Sequence, residues 1–316
     1  MVTGIGNPKA PAWYGGGLAG LLPVGCGHIY YVNGGSDGPI VDTGNGLTPT
    51  TPKRFLQSAI DLCTTDNDDV VVVLNYGGNA RAAEVFPILL NKNRVHIIGV
   101  GTISNKWPVV SVLAPAGADI NDPAIFVTGS RCEIMGLELG GGNTAGCIEV
   151  GSTPGGVWAL WVHDCFFGVT GDGVGQDGIN VPGNLDAPYL TVTGCRFGNA
   201  LTRDGIRVEV DGNATRCMIG MPGYPANVFN QVPGIAINMA GSVVFPSICN
   251  NQIAIPANTA GAGITLSANV ADAWVAGNFA NFGDTDMGNN PFADGAGAGA
   301  NNWSLNYKGV TAQLPS

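Results

Sequence analysis

The chain has 316 residues, 50 of them Gly, about twice the usual share of about 7 %. Only 11 % are charged while 45 % are hydrophobic, which excludes a disordered chain, and the glycines keep no triplet period and the Pro and Gly break every heptad run, which excludes collagen and a long coiled coil. The net charge is −10 and Lys308 is the one basic residue after Arg216, a balance that argues against a nucleic-acid partner.

Residues 1–27 read as an irregular arm carrying Trp13, Tyr14 and Gly15-Gly-Gly17. A strap packed on the body and a docking arm for a partner are equally open. The start has no basic segment followed by an apolar block, so no signal peptide is expected. No run of 18 apolar residues marks a membrane span.

Residues 28–286 read as one repetitive body. Thr51 is placed to cap a helix with Pro52 in its first position. Phe55, Ala59, Leu62 and Cys63 then share one face, which predicts a capping helix near residues 52–64. Val70–Leu74, Phe86–Leu90 and Val95–Val100 are the strands expected to follow.

From there a short motif recurs: Ile125-Phe-Val, Ile148-Glu-Val, Ile179-Asn-Val, Ile206-Arg-Val, Ile235-Ala-Ile and Ile264-Thr-Leu. Its steps are 23, 31, 27, 29 and 29 residues, about 28 on average. A second motif interleaves: Val162-His-Asp-Cys165-Phe, Val192-Thr-Gly-Cys195-Arg-Phe197, Ile248-Cys-Asn-Asn251-Gln-Ile253 and Val275-Ala-Gly-Asn278-Phe279. Two strands per coil of about 28 residues cannot bury their apolar faces alone, and stacking the coils solves this. Cys165, Cys195, Asn251 and Asn278 are expected to stack at one turn, with the Asn amides bonding along a ladder. Residues 287–316 read as a Gly/Ala-rich loop, then a strand Trp303–Tyr307 and a tail.

These repeats, with the opening Ile29-Tyr-Tyr-Val-Asn-Gly-Gly-Ser36-Asp37-Gly and Gly46-Leu-Thr-Pro-Thr-Thr-Pro52, resemble the right-handed parallel β-helix, or pectate-lyase-like, superfamily. The opening looks like that of many bacterial and phage β-helix proteins. The resemblance implies an all-β, single-stranded right-handed parallel β-helix with a short N-terminal capping helix. It does not fix a function, because the superfamily includes lyases, hydrolases, adhesins and viral spikes.

Eight dispersed cysteines, Cys26, Cys63, Cys132, Cys147, Cys165, Cys195, Cys217 and Cys249, hold no C-x-x-C pair and read as free thiols. Trp158-Ala-Leu-Trp-Val-His163-Asp164 and Asp177-Gly-Ile-Asn180 loosely resemble pectate-lyase segments. However, the His and Asp are reversed, and Asn180 replaces a carboxylate that a calcium site wants. Asp66-Asn-Asp-Asp69 and Asp284-Thr-Asp286 read as ordinary turns. No metal and no cofactor are expected.

For glycoside hydrolysis the carboxylate candidates are Glu149, Asp164, Asp172, Asp177, Asp204 and Glu209. Glu149, Asn180 and Arg207 occupy the outward middle of successive strands and so form one surface column, expected to be a solvated stripe. An enzymatic reading rests on His163, Asp164, Asp177, Asp204 and Arg207, with Trp158 and Trp161 as sugar platforms. No complete catalytic signature is present. The favoured expectation is a bacteriophage virion protein, a spike, fibre or capsid decoration. By resemblance it would be a homotrimer contacting other virion proteins or a host glycan, with no nucleic acid and no membrane.

Overall fold

The computed structural model describes residues 26–35, 38–39, 41–75, 84–100, 103–104, 107–108, 110–113, 115, 121–152, 155–168, 175–198, 200–255, 263–282, 291–295, 301–308 and 311–313. Trp13, Tyr14, Gly15–Gly17, Ser36, Asp37, Asp172 and Asp284–Asp286 lie outside the described residues.

Turn residues interrupt the apolar runs so often that each coil is built from three short strands. In one coil the chain runs through Trp161–His163, Phe166–Phe167 and Ile179–Val181, and Thr191–Thr193 then lands on Trp161–His163. Repetition gives three sheets, of ten, nine and eight strands among the described residues. Their pairings are parallel until Thr311–Gln313, which runs antiparallel to Asn306–Lys308. The chain is an all-β parallel solenoid with coils of about 28 residues and, among the described residues, one short helix.

The expected two strands per coil are therefore three. Val162-His-Asp-Cys165-Phe looks like one alternating segment, but Asp164 takes φ 52° and bends the chain onto the next sheet. The same bend at Leu305, φ 52°, splits the expected Trp303–Tyr307 strand into Asn302–Ser304 and Asn306–Lys308.

Two corners repeat this left-handed conformation from coil to coil. Leaving the ten-stranded sheet, it falls on Gly136, Asp164, Gly194, Gly220, Asn250, Gly277 and Leu305. Entering that sheet, it falls on Asp68, Arg94, Arg131, Ala159, Tyr189, Arg216, Phe245 and Asp272. Left-handed backbone costs a residue with a Cβ about 1–2 kcal/mol, and Gly escapes the penalty. Gly dominates the first corner; the second has neither Gly nor Asn.

Inside the solenoid the inward side chains form columns. Ile134, Val162, Val192, Ile219, Ile248 and Val275 from the ten-stranded sheet are all fully buried, and each such burial contributes about 1.5–3 kcal/mol. Phe167, Phe197 and Phe229 from the nine-stranded sheet stack face to face at 4.8 and 4.5 Å. In the eight-stranded sheet Ile125, Ile148, Ile179, Ile206 and Ile264 are in register as expected, but the copy between the last two is Ile237, not Ile235. Both isoleucines have an apolar residue two places on, so the pattern alone does not choose between them.

The Asn ladder forms and is longer than expected. Asn227 donates its amide to Asn251 Oδ1 at 3.0 Å, Asn251 to Asn278 at 2.8 Å and Asn278 to Asn306 at 2.8 Å. Asn227 escapes the sequence period because residues 221–226 intervene after the Gly220 corner. Below it, Cys195 donates its backbone N–H to Asn227 Oδ1.

The helix is Leu56–Leu62 rather than 52–64. Lys53 makes a bridge with Val32, which holds the predicted first turn extended. Glu84, not Thr51, accepts the Leu56 N–H, at 2.8 Å. The buried face is Leu56, Ala59, Ile60 and Cys63, whereas Leu62 faces out at 40 % exposure. The helix contacts the first strands of the ten- and eight-stranded sheets, Ile29–Asn33 and Ile88–Leu90 among them, as a cap does.

Seven cysteines are buried and Cys26 is partly so, all as free thiols. Burial pushes Cys63, Cys147 and Cys217 up to about 12, and Cys132 to about 11. Such thiols are unreactive and pack as small hydrophobes.

Candidate functional site

The five residues proposed for catalysis fall into two groups, on two different sheets. His163 and Asp164 belong to the outer side of the ten-stranded sheet and its exit corner. Asp177, Asp204 and Arg207 belong to the eight-stranded sheet and the turns that lead into it.

On the ten-stranded sheet, register brings His96, Glu133 and Trp161 to equivalent positions on successive strands. Glu133 lies between two imidazoles, with Oε2 2.7 Å from His96 Nδ1 and Oε1 2.8 Å from His163 Nε2. His163 Nδ1 reaches Asp164 Oδ2 at 2.9 Å. Both His163 nitrogens thus face carboxylates, and only the imidazolium donates from both. Burial would lower the His163 pKa, but Asp164 and Glu133 outweigh it and raise it to about 9. Burial would raise Glu133, but hydrogen bonds from His163 and His96 hold it at about 2. Trp161 stacks on His163 at 4.0 Å and donates its indole N–H to Thr193. His96 Nε2 stands 3.6 Å from Asp68 Oδ1, beyond hydrogen-bond reach, while Arg94 holds Asp68.

Glu133 is the residue that motif reading missed. Its signal was present: Ile134 lies one period before Val162, so Glu133 is the counterpart of Trp161.

On the eight-stranded sheet, Glu149, Asn180, Arg207 and Asn238 form one outward column in register. The expected solvated stripe is instead largely enclosed, with Asn180 3 % and Asn238 8 % exposed. Asp177 and Asp204 each precede a Gly that leads into a strand. The reason for the Gly is contact: a Cβ on Gly178 would lie 2.5 Å from the Phe197 ring, and one on Gly205 2.6 Å from Phe229.

Asp177 is fully buried and takes both arms of the Arg203 guanidinium and the Asp204 N–H. Burial raises its carboxyl, and the Arg203 hydrogen bonds only partly offset this. Asp204 accepts Arg207 at 2.8 Å, the Ile235 N–H at 2.7 Å and the Asn238 amide at 2.8 Å. Both aspartates therefore tie one coil to the next.

Glu209 completes the group. Its Oε1 accepts the Asn180 amide at 3.2 Å and Arg203 at 3.3 Å. Beside Asn180 on the neighbouring strand stands Glu149, whose carboxyl is raised by burial. Among the described residues, the buried Asn180 Oδ1 and Arg207 Nε make no hydrogen bond. The described residues hold no group of three or more His, Cys, Asp or Glu arranged for a metal ion.

No family model matches the chain, and no curated protein does. Among solved structures, the chain is similar to a pectin methylesterase from Aspergillus niger, with 14 % identity over 90 % of this chain and 86 % of that one, at a TM-score of 0.38. A GH136 lacto-N-biosidase from Eubacterium ramulus matches at 12 % identity over 90 % and 68 %, at a TM-score of 0.36. ORF18 of Geobacillus virus E2 matches at 14 % over 80 % and 56 %, at a TM-score of 0.33. All three likenesses are distant.

Proposed function

We propose that this chain is a structural protein of a bacteriophage particle: a β-helix spike, fibre or capsid decoration that assembles as a homotrimer. It would act in assembly, stabilisation or host-surface attachment. The observation that carries this reading is an apolar surface on the last coils. Trp274, Phe279, Leu305 and Tyr307 are 49, 40, 68 and 37 % exposed. Phe279 and Tyr307 are register neighbours on the nine-stranded sheet, and Leu305 occupies the corner just before Tyr307. Exposed apolar groups gathered in this way mark association surfaces. The scarcity of charge after Arg216 reduces like-charge repulsion between copies. Asp177 and Asp204, closed in by arginines and backbone N–H groups, fit a load-carrying role better than proton transfer.

Light scattering on the full-length chain tests the proposal. The expected mass is three times the 32.2 kDa of one chain. Leu305→Asp is expected to give the single-chain mass while still folding, because Asp tolerates left-handed backbone. A monomeric parent protein would sink the proposal.

One observation favours a second reading, a polysaccharide-degrading enzyme. Glu149 and Glu209 flank Asn180, the first as its register neighbour and the second as acceptor of its amide, and Glu149 is the one with a raised carboxyl. In a hydrolase Glu149 would protonate the glycosidic oxygen and Glu209 would take the proton from water. Release of reducing ends from a polysaccharide, abolished in Glu149→Gln, is the result this reading expects; turnover that survives the substitution excludes Glu149 as the acid.

A further inference from the structure

We infer that residues 1–25 form a strap that closes a second hydrophobic core on the outside of the ten-stranded sheet. The arm is thereby engaged by its own chain and is not a free docking arm for a partner.

Three observations converge. The first is burial on the outer side of the sheet. Strand alternation sends Val71 and Val73 into the solenoid, where they join the main core. Val70 and Val72 point the other way, as do their register neighbours Ile29, His96, Tyr31 and Ile98. Yet Val70 and Val72 are fully buried, and Ile98 and Met135 are 1 and 8 % exposed. These four form a cluster of their own, separate from the main core. The unbroken apolar run Val70–Leu74 is what a strand covered on both faces requires. Further along the sheet the cover ends: Trp274, in the same outward column as His96, Glu133 and Trp161, is half exposed. The burial is complete within a single chain, so the cover belongs to that chain.

The second is what borders the face. Among the described residues, the partly buried apolar groups packed against the cluster are Cys26, Ile29, Tyr31, Leu74 and Val100. Ile29, Tyr31 and Leu74 lie on the first two strands and Val100 follows the third, so these four widen the face rather than roof it. Cys26 is where the arm arrives. Gly27 fixes that arrival: its N–H bonds the Asp68 carbonyl at 3.0 Å, and a Cβ there would run into the Asn67 carbonyl.

The third is composition and reach. Lys9 is the one charged residue before Asp37, and Leu18, Leu21, Leu22 and Val24 stand just ahead of Cys26. From Ile29–Asn33 to Glu133–Met135 is three strand spacings, about 14 Å. Extended chain covers that distance in about five residues, which brings Leu21, Leu22 and Val24 over the cluster. The inference holds whatever the oligomeric state.

Methionine oxidation in the full-length chain tests it, read residue by residue by peptide mass after a brief exposure to hydrogen peroxide. Met135 reports the outer face, the fully buried Met239 the inner core, and the half-buried Met218 serves as reference. In the parent, Met135 is expected to react slowly, as Met239 does, at a rate independent of protein concentration. Leu21→Asp combined with Leu22→Asp is expected to speed Met135 about tenfold or more while Met239 stays protected and Met218 is unchanged. Should the pair of changes also expose Met239, Leu22→Asp alone is read by the same criterion. The inference is overturned if Met135 stays protected in the variants, or if Met135 and Met239 accelerate together even in Leu22→Asp. It is equally overturned if dilution of the parent uncovers Met135, which would assign the cover to a second copy.

Discussion

Stability is expected to be greatest between about pH 4.5 and 6.5 and to fall on both sides, because one buried contact titrates at each limit. Glu133 is depressed to about 2 from an unfolded value of 4.5, through its bonds to His163 and His96, against the opposing effect of burial. A depressed carboxyl stabilises the fold above its unfolded value, and that contribution is lost as pH falls from 4.5 towards 2. His163 is raised to about 9 from 6.5 by Asp164 and Glu133, again against burial. A raised imidazole stabilises fully below 6.5, and that contribution is lost as pH rises from 6.5 through 9. Each shift corresponds to about 3 kcal/mol, counted once for the pair because the two share a bond.

Denaturant midpoints measured from pH 3 to 10 give the profile, and two variants assign it. The difference between parent and Glu133→Gln is expected to shrink at both extremes, since the variant loses the titrating carboxylate and one of the two carboxylates that hold the imidazolium. Asp164→Asn, which touches His163 but not Glu133, is expected to reduce the alkaline limb and leave the acid limb in place. A parent-minus-variant difference that stays constant across this range would mean that the contact does not titrate as described.

Asn278→Ala is expected to lower stability by about 4 kcal/mol or more. The side chain is fully buried and completes four hydrogen bonds. It donates to the Ile248 carbonyl at 2.8 Å and to Asn306 at 2.8 Å, and it accepts the Asn251 N–H and amide at 3.1 and 2.8 Å. Truncation strands partners that water cannot reach, at about 1–3 kcal/mol for each group left unsatisfied. A thermal midpoint lower by roughly 10 °C is the expected observation. Asn269→Ala, at an exposed turn outside the ladder, is the control and is expected to change little. If the two variants melt alike, the ladder does not carry the stability assigned to it.

The architecture was legible because it repeats. Apolar positions at a period of about 28, with Gly and Asn between them, specify stacked coils before any contact is known. What escaped was whatever a single residue decides. Asp164 looks like part of a strand, and only its backbone sign divides one sheet from the next. Ile235 and Ile237 satisfy the same pattern, and the register of their neighbours chooses the second. Thr51 has the right chemistry to cap a helix, but the bridge from Lys53 to Val32 pulls that segment into the solenoid. Of the candidate carboxylates, the column with Glu149, Asn180 and Arg207 came directly from strand alternation. Glu133 did not, because its meaning lies in two histidines, His96 and His163, 37 positions before it and 30 after it.

The asparagine ladder also bears on how the molecule can change in length. Each amide from Asn227 to Asn278 donates to the one above it, so every interior rung meets an identical neighbour on either side. Asn251 and Asn278 make the same amide-to-amide bonds, up and down, and each donates to a backbone carbonyl of the coil below. A segment spanning one rung to the next is thus a complete module: duplicated, it brings both halves of each bond it needs, and removed, it leaves two ends that already match. Such a chain can be extended or shortened in steps of about 4.8 Å by copying errors alone, without a new interface having to evolve. The corners are then free to diversify along a stack whose reach is set by counting.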